Sequence, residues 1–175
     1  MIRKIMLSVM ALMLVLGGTL VLGAAPSLAA PRGSSIVDVA IAANAETGEF
    51  STLIAALLAA DPQVLRTLGG NGQFTVFAPT DAAFAALGLN AGNIGSLPQD
   101  ALTQILLYHV ARGRRDSGAV LGSSRIRTLQ GGFLFQAGGT LTDNLGRTSN
   151  IIITDVEAAN GIIHAIDAVV LPFAP

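Results

Sequence analysis

The apolar residues change period partway along the chain, and that change limits the folds open to it more than any other feature. Up to about residue 109 they recur at helical spacing. Phe50, Leu53, Ile54, Leu57 and Leu58 share one helical face, and Leu102, Ile105, Leu106 and His109 lie on related faces. From Gly122 onward the period is two. Ile126 and Leu129 fall in one strand candidate and Phe133-Leu134-Phe135 in the next. Ile151-Ile152-Ile153 centres a long strand over 148–156, and a last strand covers 162–171. Gly131-Gly132, Gly138-Gly139 and Asp143-Asn144-Leu145-Gly146 supply turns, and Asn160-Gly161 is the strongest hairpin signal in the chain. Helices first and antiparallel strands second predict an α+β fold in one domain.

Local signals place the boundaries of the helical half. Ser35 followed by Asp38 is a capping-box pattern that opens a helix, which Thr47-Gly48 interrupts. The next helix ends at Asp61-Pro62, and a short one over 62–68 is closed by Gly69-Gly70-Asn71-Gly72. Phe74-Thr75-Val76-Phe77 is a β-type run stopped by Pro79. Thr80 then caps a helix over 81–87, with Asp81 favourable near its positive end. Ser96-Leu97-Pro98-Gln99 reads as a second capping box.

The N-terminus reads as an address. Arg3 and Lys4 precede a segment over 5–22 that is apolar apart from Ser8, Thr19 and Gly17-Gly18, and a small-residue stretch follows. This is the pattern of a secretory signal peptide over 1–29, cut after Ala29. Left uncut, the segment would be a membrane anchor, and it is the only membrane attachment expected. Residues 30–34 read as a linker, 35–172 as the domain and 173–175 as a tail. The expected location is secreted or at the cell surface.

Composition narrows the function classes. With 51% hydrophobic residues and a net charge of −1 the chain is not disordered, and it has no global field to attract nucleic acid. Beyond residue 29 the eight arginines face eleven acids, a net charge of −3. There is no cysteine, so disulfides, thiol nucleophiles and thiolate metal sites are excluded. An exported domain of this kind must be held by its core, which at about 150 residues buries enough surface to suffice.

Three blocks resemble a known family. Phe74-Thr75-Val76-Phe77-Ala78-Pro79-Thr80-Asp81-Ala82-Ala83-Phe84 is similar to the first signature of fasciclin-type domains. Asn160-Gly161-Ile162-Ile163-His164-Ala165-Ile166-Asp167-Ala168-Val169-Val170-Leu171-Pro172 resembles the second. Between them, Leu106-Leu107-Tyr108-His109-Val110 is similar to the tyrosine-histidine segment. The resemblance covers about 35–172 and implies two β-sheets packed as a wedge and flanked by helices. It also implies a secreted or surface-attached, non-enzymatic protein with adhesive or matrix-binding roles and no cofactor. The expected partners are cell-surface or matrix proteins or polysaccharides, with weak self-association left open. Integrin recognition in some animal members is attributed to an Asp-Ile pair before the second block and to the tyrosine-histidine segment. Here those positions hold Asp155-Val156, with valine for isoleucine and different flanks, and Tyr108-His109. Thr80, Asp81 and His164 belong to the structural signature.

The individual residues support the same reading. His164 shares a strand face with Ile162, Ile166 and Val170, where a histidine is ordinarily a core residue hydrogen-bonded through the ring. His109 ends an apolar helix, where an imidazolium would be favoured by the helix dipole. Tyr108 needs a hydrogen-bond partner if buried. Two histidines without cysteine make a poor metal site, and Asp143-Asn144-Leu145-Gly146 lacks the spaced acids of a calcium loop. No G-x-S-x-G occurs, and no lysine follows the glycine run at 69–72, so neither a serine hydrolase nor a phosphate loop is supported. One charge feature remains. Arg112, Arg114, Arg115, Arg125 and Arg127 fall within sixteen positions. They are either a solvated face paired with acids such as Asp116, or a patch for an envelope carbohydrate or polyanion.

Overall fold

The structure is a computed structural model and describes residues 33–172. The expected export segment and its cleavage point, most of the linker and the tail at 173–175 lie outside the described residues. The element order is α1 (Ile36–Thr47), α2 (Ser51–Ala59), α3 (Pro62–Leu68), β1 (Phe74–Pro79), α4 (Asp81–Ala85), a 3-10 turn (Ile94–Ser96) and α5 (Gln99–Tyr108). It continues with β2 (Val110–Arg112), α6 (Ser117–Leu121), β3 (Arg125–Arg127), β4 (Phe133–Ala137), β5 (Thr140–Thr142), β6 (Thr148–Ala158) and β7 (Gly161–Ile166).

Most helix ends follow local chemistry. Ser35 caps α1 and exchanges hydrogen bonds with Asp38, and Gly48 closes the helix at φ 71°. Asp61 caps α3 by accepting from Gln63 N, with Pro62 in the first turn. The box expected at Ser96 does not form. Pro98 is the cap of α5, and the Ser96 hydroxyl donates instead to Asn93 O at 2.7 Å, closing the preceding 3-10 turn.

Seven strands form one continuous sheet in the order β2-β1-β7-β6-β5-β4-β3. The two expected sheets are its halves, and β6 belongs to both. Residues 148–150 of β6 pair with β5, while Ile151 to Ala158 pair with β7 across two register shifts. Such bulges bend a strand and increase its twist. The sheet curls until its edges meet, with an Ala111–Thr128 bridge and Leu129 N donating to Val110 O at 2.7 Å. Among the described residues only β1 and β7 pair in parallel.

Curling gives the sheet two apolar faces to bury. Val76, Ala78, Ile163 and Ala165 pack under the helices with Leu53, Leu57 and Leu106. Phe77, Tyr108, Val120, Ile126, Leu134, Leu141 and Ile166 fill the space enclosed by the sheet. Every position of β1 and β7 is therefore buried, which explains apolar runs broken only by Thr75 and His164. Each large side chain buried in this way contributes about 1.5–3 kcal/mol.

Two expectations about the last hairpin need correction. Ala158 pairs with Gly161, so the turn is Ala159-Asn160, and Asn160 does not take the positive φ of an Asn-Gly type I′ turn. Gly161 is the first residue of β7, where an added Cβ would collide with Phe74 O of the neighbouring strand. The strand expected over 162–171 stops at Ile166. Val169, Val170 and Leu171 stay buried as irregular chain, with Val170 N bound to His109 and Leu171 N to Asp143.

Candidate functional site

The second register shift of β6 turns Asp155 into the left-handed region at φ 60°, the only non-glycine residue among those described with positive φ. Its N–H donates to His164 Nδ1 at 3.3 Å, and its carboxylate accepts from Ser117 N at 2.7 Å and from the Ser117 hydroxyl. Asp155 thus joins β6, β7 and the start of α6. The Ser117 hydroxyl bond holds its carboxyl below the usual carboxylate range, although the residue itself is exposed. Val156 beside it points back to the helices. There Val39, Ala43, Phe50, Ile153, Val156 and Ile163 line part of an almost wholly apolar cleft of about 110 Å³. The cleft exists because alanines face one another across it: Ala40 and Ala43 on α1, Ala78 on β1, Ala165 on β7. At its mouth Ile153 is 46% exposed, and Ile152 next to it is 50% exposed.

Tyr108 and His109 are both buried, so their side chains are out of a partner's reach. The Tyr108 hydroxyl donates to Phe133 O at 2.6 Å and accepts from Asn144 N. Burial raises its pKa. The expected His109 imidazolium is not found. Ile105 O can only accept and Val170 N–H can only donate, so Nδ1 donates to the first and Nε2 accepts from the second. The ring is neutral, and burial lowers its pKa to about 4.

His164 is buried as expected and stacks on Phe77 with ring centroids 5.8 Å apart. Its Nε2 donates to Arg115 O at 2.9 Å while Nδ1 accepts from Asp155 N. Both histidines therefore spend both ring nitrogens on the backbone, leaving neither as a base for a serine hydroxyl. Thr80 caps α4 by accepting from Ala83 N. Asp81 lies in the first turn of α4 as expected. Its carboxylate also caps a second helix, accepting from Thr52 N at 2.8 Å in the first turn of α2, whose own cap position is Phe50. The buried Asp143 carboxylate accepts from four N–H groups, of Leu145, Arg147 (backbone and Nε) and Leu171, so its turn is structural.

The arginine cluster divides in two. Arg114 donates to Ala158 O at 2.8 Å and pairs with Glu157, and Arg115 reaches the Ser123 hydroxyl while its backbone serves Thr75 and His164. Arg125 and Arg127 flank the buried Ile126 and face outward from β3, where Arg125 lies 5.0 Å over the Phe133 ring. The antiparallel bridge Ala111–Thr128 sets Arg112 opposite Arg127 one step on.

Sequence reasoning did not single out Ile152, Ile153, Phe133 or Phe135. The signal was present: three consecutive isoleucines in a strand must put apolar groups on both faces, and Phe133 and Phe135 lie opposite Leu134.

Comparison with known proteins agrees with this architecture. The Fasciclin domain family matches residues 48–172. Protein sll1483 of Synechocystis sp. is 42% identical over 151 residues, covering 82% of this chain and 77% of that protein. Immunogenic protein MPB70 of Mycobacterium bovis is 38% identical over 149 residues, 82% of this chain and 74% of its own. Cell surface glycolipoprotein MPB83 of the same species is 38% identical over 128 residues, 70% and 56% of the two chains. Among solved structures, a FAS1 domain pair from the insect cell adhesion molecule Fasciclin I matches with a TM-score of 0.58 at 21% identity. That match covers 71% of this chain and 46% of the insect one, about half of the domain pair. From the three blocks, the curled sheet and these matches, the chain belongs to the fasciclin domain family.

Proposed function

We propose that the protein is an exported, surface-held interaction domain that binds a cell-surface or matrix component without doing chemistry of its own. The observation that carries this reading is the outward bulge of β6. It presents the half-exposed Ile153 at the mouth of an apolar cleft, with Ile152 and Asp155 exposed on the same stretch of strand. Half-exposed isoleucines beside a preformed cleft are the anatomy of a small contact hot spot, an apolar anchor with a charged rim. The names of the relatives point the same way, since one is a cell surface glycolipoprotein and another a cell adhesion molecule. Tyr108 and His109 act inside the fold, away from this surface: the first holds β4 and the turn after β5, the second holds the end of α5 against Val170.

The test is binding of labelled protein to whole cells and immobilised matrix proteins. Ile153→Glu places a charge at the cleft mouth on a half-exposed position, so it should weaken binding at least tenfold while thermal stability stays near that of the parent. Tyr108→Phe should leave binding unchanged. Parent-like binding by Ile153→Glu removes the β6 surface from the proposal.

A further inference from the structure

Resting on the reading of the chain as a surface interaction domain, we infer that the outward face of β3, β4 and β5 is a second binding surface, built for a chain of anionic sugars. Its outward positions are Arg125 and Arg127 on β3, Phe133, Phe135 and Ala137 on β4, and Thr140 and Thr142 on β5. The register sets Arg125 beside Phe135, Arg127 beside Phe133, and Phe135 beside Thr142. No carboxylate stands among these positions. At the far edge Asp167 is already bound to Asn150 and Ser149. Arg127 and Arg112, facing each other across the seam where the sheet edges meet, have no partner among the described residues.

The face has three properties that together select an occupant. Its arginines are spread over the strands: the Cα atoms of Arg125 and Arg127 stand roughly 7 Å apart along β3, and the Arg112 backbone lies across from that of Arg127 at about 5 Å. Separated forks suit repeated anionic groups better than one small anion, and each fork matches a carboxylate or sulfate through two N–H bonds. The face also exposes an aromatic ring, with Phe135 45% in water, beside Thr142 of β5. A ring beside a hydroxyl suits the C–H face and the hydroxyl edge of a pyranose. Finally, Arg125 is held over Phe133 at 5.0 Å, which fixes its side chain before any ligand arrives. Charge complementarity sets the sign of the occupant, spacing makes it a polymer, and the exposed ring makes it a glycan. Arg114 and Arg115 are excluded because their groups already serve Ala158, Glu157 and Ser123.

The test titrates purified protein with polygalacturonate, dextran sulfate and uncharged dextran by calorimetry, at low and at physiological salt. Polygalacturonate should bind at least tenfold more tightly than dextran, and more weakly as salt rises. Dextran sulfate shows whether sulfate serves as well as carboxylate. The double variant Arg125→Gln/Arg127→Gln should lose at least tenfold. Phe135→Ser should lose several-fold, and that loss should persist at high salt, where a purely ionic contact fades. Arg66→Gln, on α3, should bind like the parent. The proposal is overturned if the double variant binds like the parent, if dextran binds as tightly as polygalacturonate, or if Arg66→Gln loses as much as the double variant. Binding of dextran sulfate alone, indifferent to Phe135→Ser, is simple ion exchange and also overturns it. The two surfaces fail separately: cell binding that survives the arginine variant but not Ile153→Glu leaves the β6 reading standing without this one.

Discussion

Asn160 is the residue on which three chain segments converge. Its side-chain oxygen accepts from Ile36 N at 2.8 Å, and its amide donates to Leu68 O at 2.6 Å and Gly70 O at 2.8 Å. Its own carbonyl accepts from Phe74 N. One buried amide therefore fixes the start of α1, the end of α3 and the entry to β1, which is why the adjoining Gly161 must pass so close to Phe74 O. Only an amide has the donors and the acceptor this site needs. Asn160→Ala leaves these backbone groups without the partner they share and should cost about 3 kcal/mol. Asn160→Asp keeps the shape but turns a negative oxygen toward two carbonyl oxygens, and it should cost more than the alanine. Urea unfolding of both variants tests this, and an aspartate variant as stable as the parent would show that the amide's donors do not matter. The sequence marks Asn160-Gly161 as the tightest point of the last hairpin. The reason differs from the one its turn propensity suggests, because burial against α3 outweighs the dipeptide's preference for positive φ.

At the scale of elements, β6 decides the shape, because one strand serves two sheet halves and must bend between them. The bend is held at Asp155, and substitutions there separate its two causes. Asn tolerates the left-handed region but gives up the charged hydrogen bonds to Ser117, so Asp155→Asn should cost about 1 kcal/mol. Asp155→Ala loses the same bonds and also strains the backbone by a further 1–2 kcal/mol or so. Asp155→Gly should fall between them, without the strain but with more freedom in the unfolded chain. Denaturation midpoints that place alanine above asparagine would mean the left-handed backbone is not what Asp155 supplies. Elements with their own signals were legible in the sequence: α1 through Ser35 and Gly48, α3 through Asp61-Pro62, and β4 through the glycine pairs that bound it. Elements that exist only because of what they pair with were not. β2 has three residues, set by β1 on one side and the β3 seam on the other, and α6 has five, begun by Asp116 and held by Asp155. The same blindness made five arginines look like one cluster, since Gly113 turns the chain between Arg112 and Arg114. Of the candidate sites, Asp155 and the pair Arg125 and Arg127 were legible as exposed positions, whereas the burial of Tyr108 and His109 depends on the curl of the whole sheet.

For the molecule as a whole, the helical layer and the enclosed sheet core meet at the end of α5, and the buried neutral His109 there ties stability to pH. Its pKa is about 4 in the fold and near 6.5 in an unfolded chain. Between those values the unfolded state binds a proton that the native state refuses, so stability rises with pH across this window and falls as pH drops from 6.5 toward 4. A gap of this size corresponds to about 3 kcal/mol, a large share of the 5–15 kcal/mol typical of a domain. Above pH 6.5 the contribution is fully present, and below 4 the native ring is protonated as well and the loss levels off. Asp38 and Asp155, whose carboxyls sit below their usual range through bonds to Ser35 and Ser117, add a further loss only as pH falls beneath about 4. Unfolding free energies measured in urea from pH 7.5 to 4 should therefore decline most between 6 and 4.5. His109→Gln keeps a polar side chain at the site but cannot titrate. It should be less stable at pH 7 and lose little more on acidification, so the two curves converge as pH falls. Parallel curves would assign the acid sensitivity to other groups and show that His109 packs the junction without coupling it to pH.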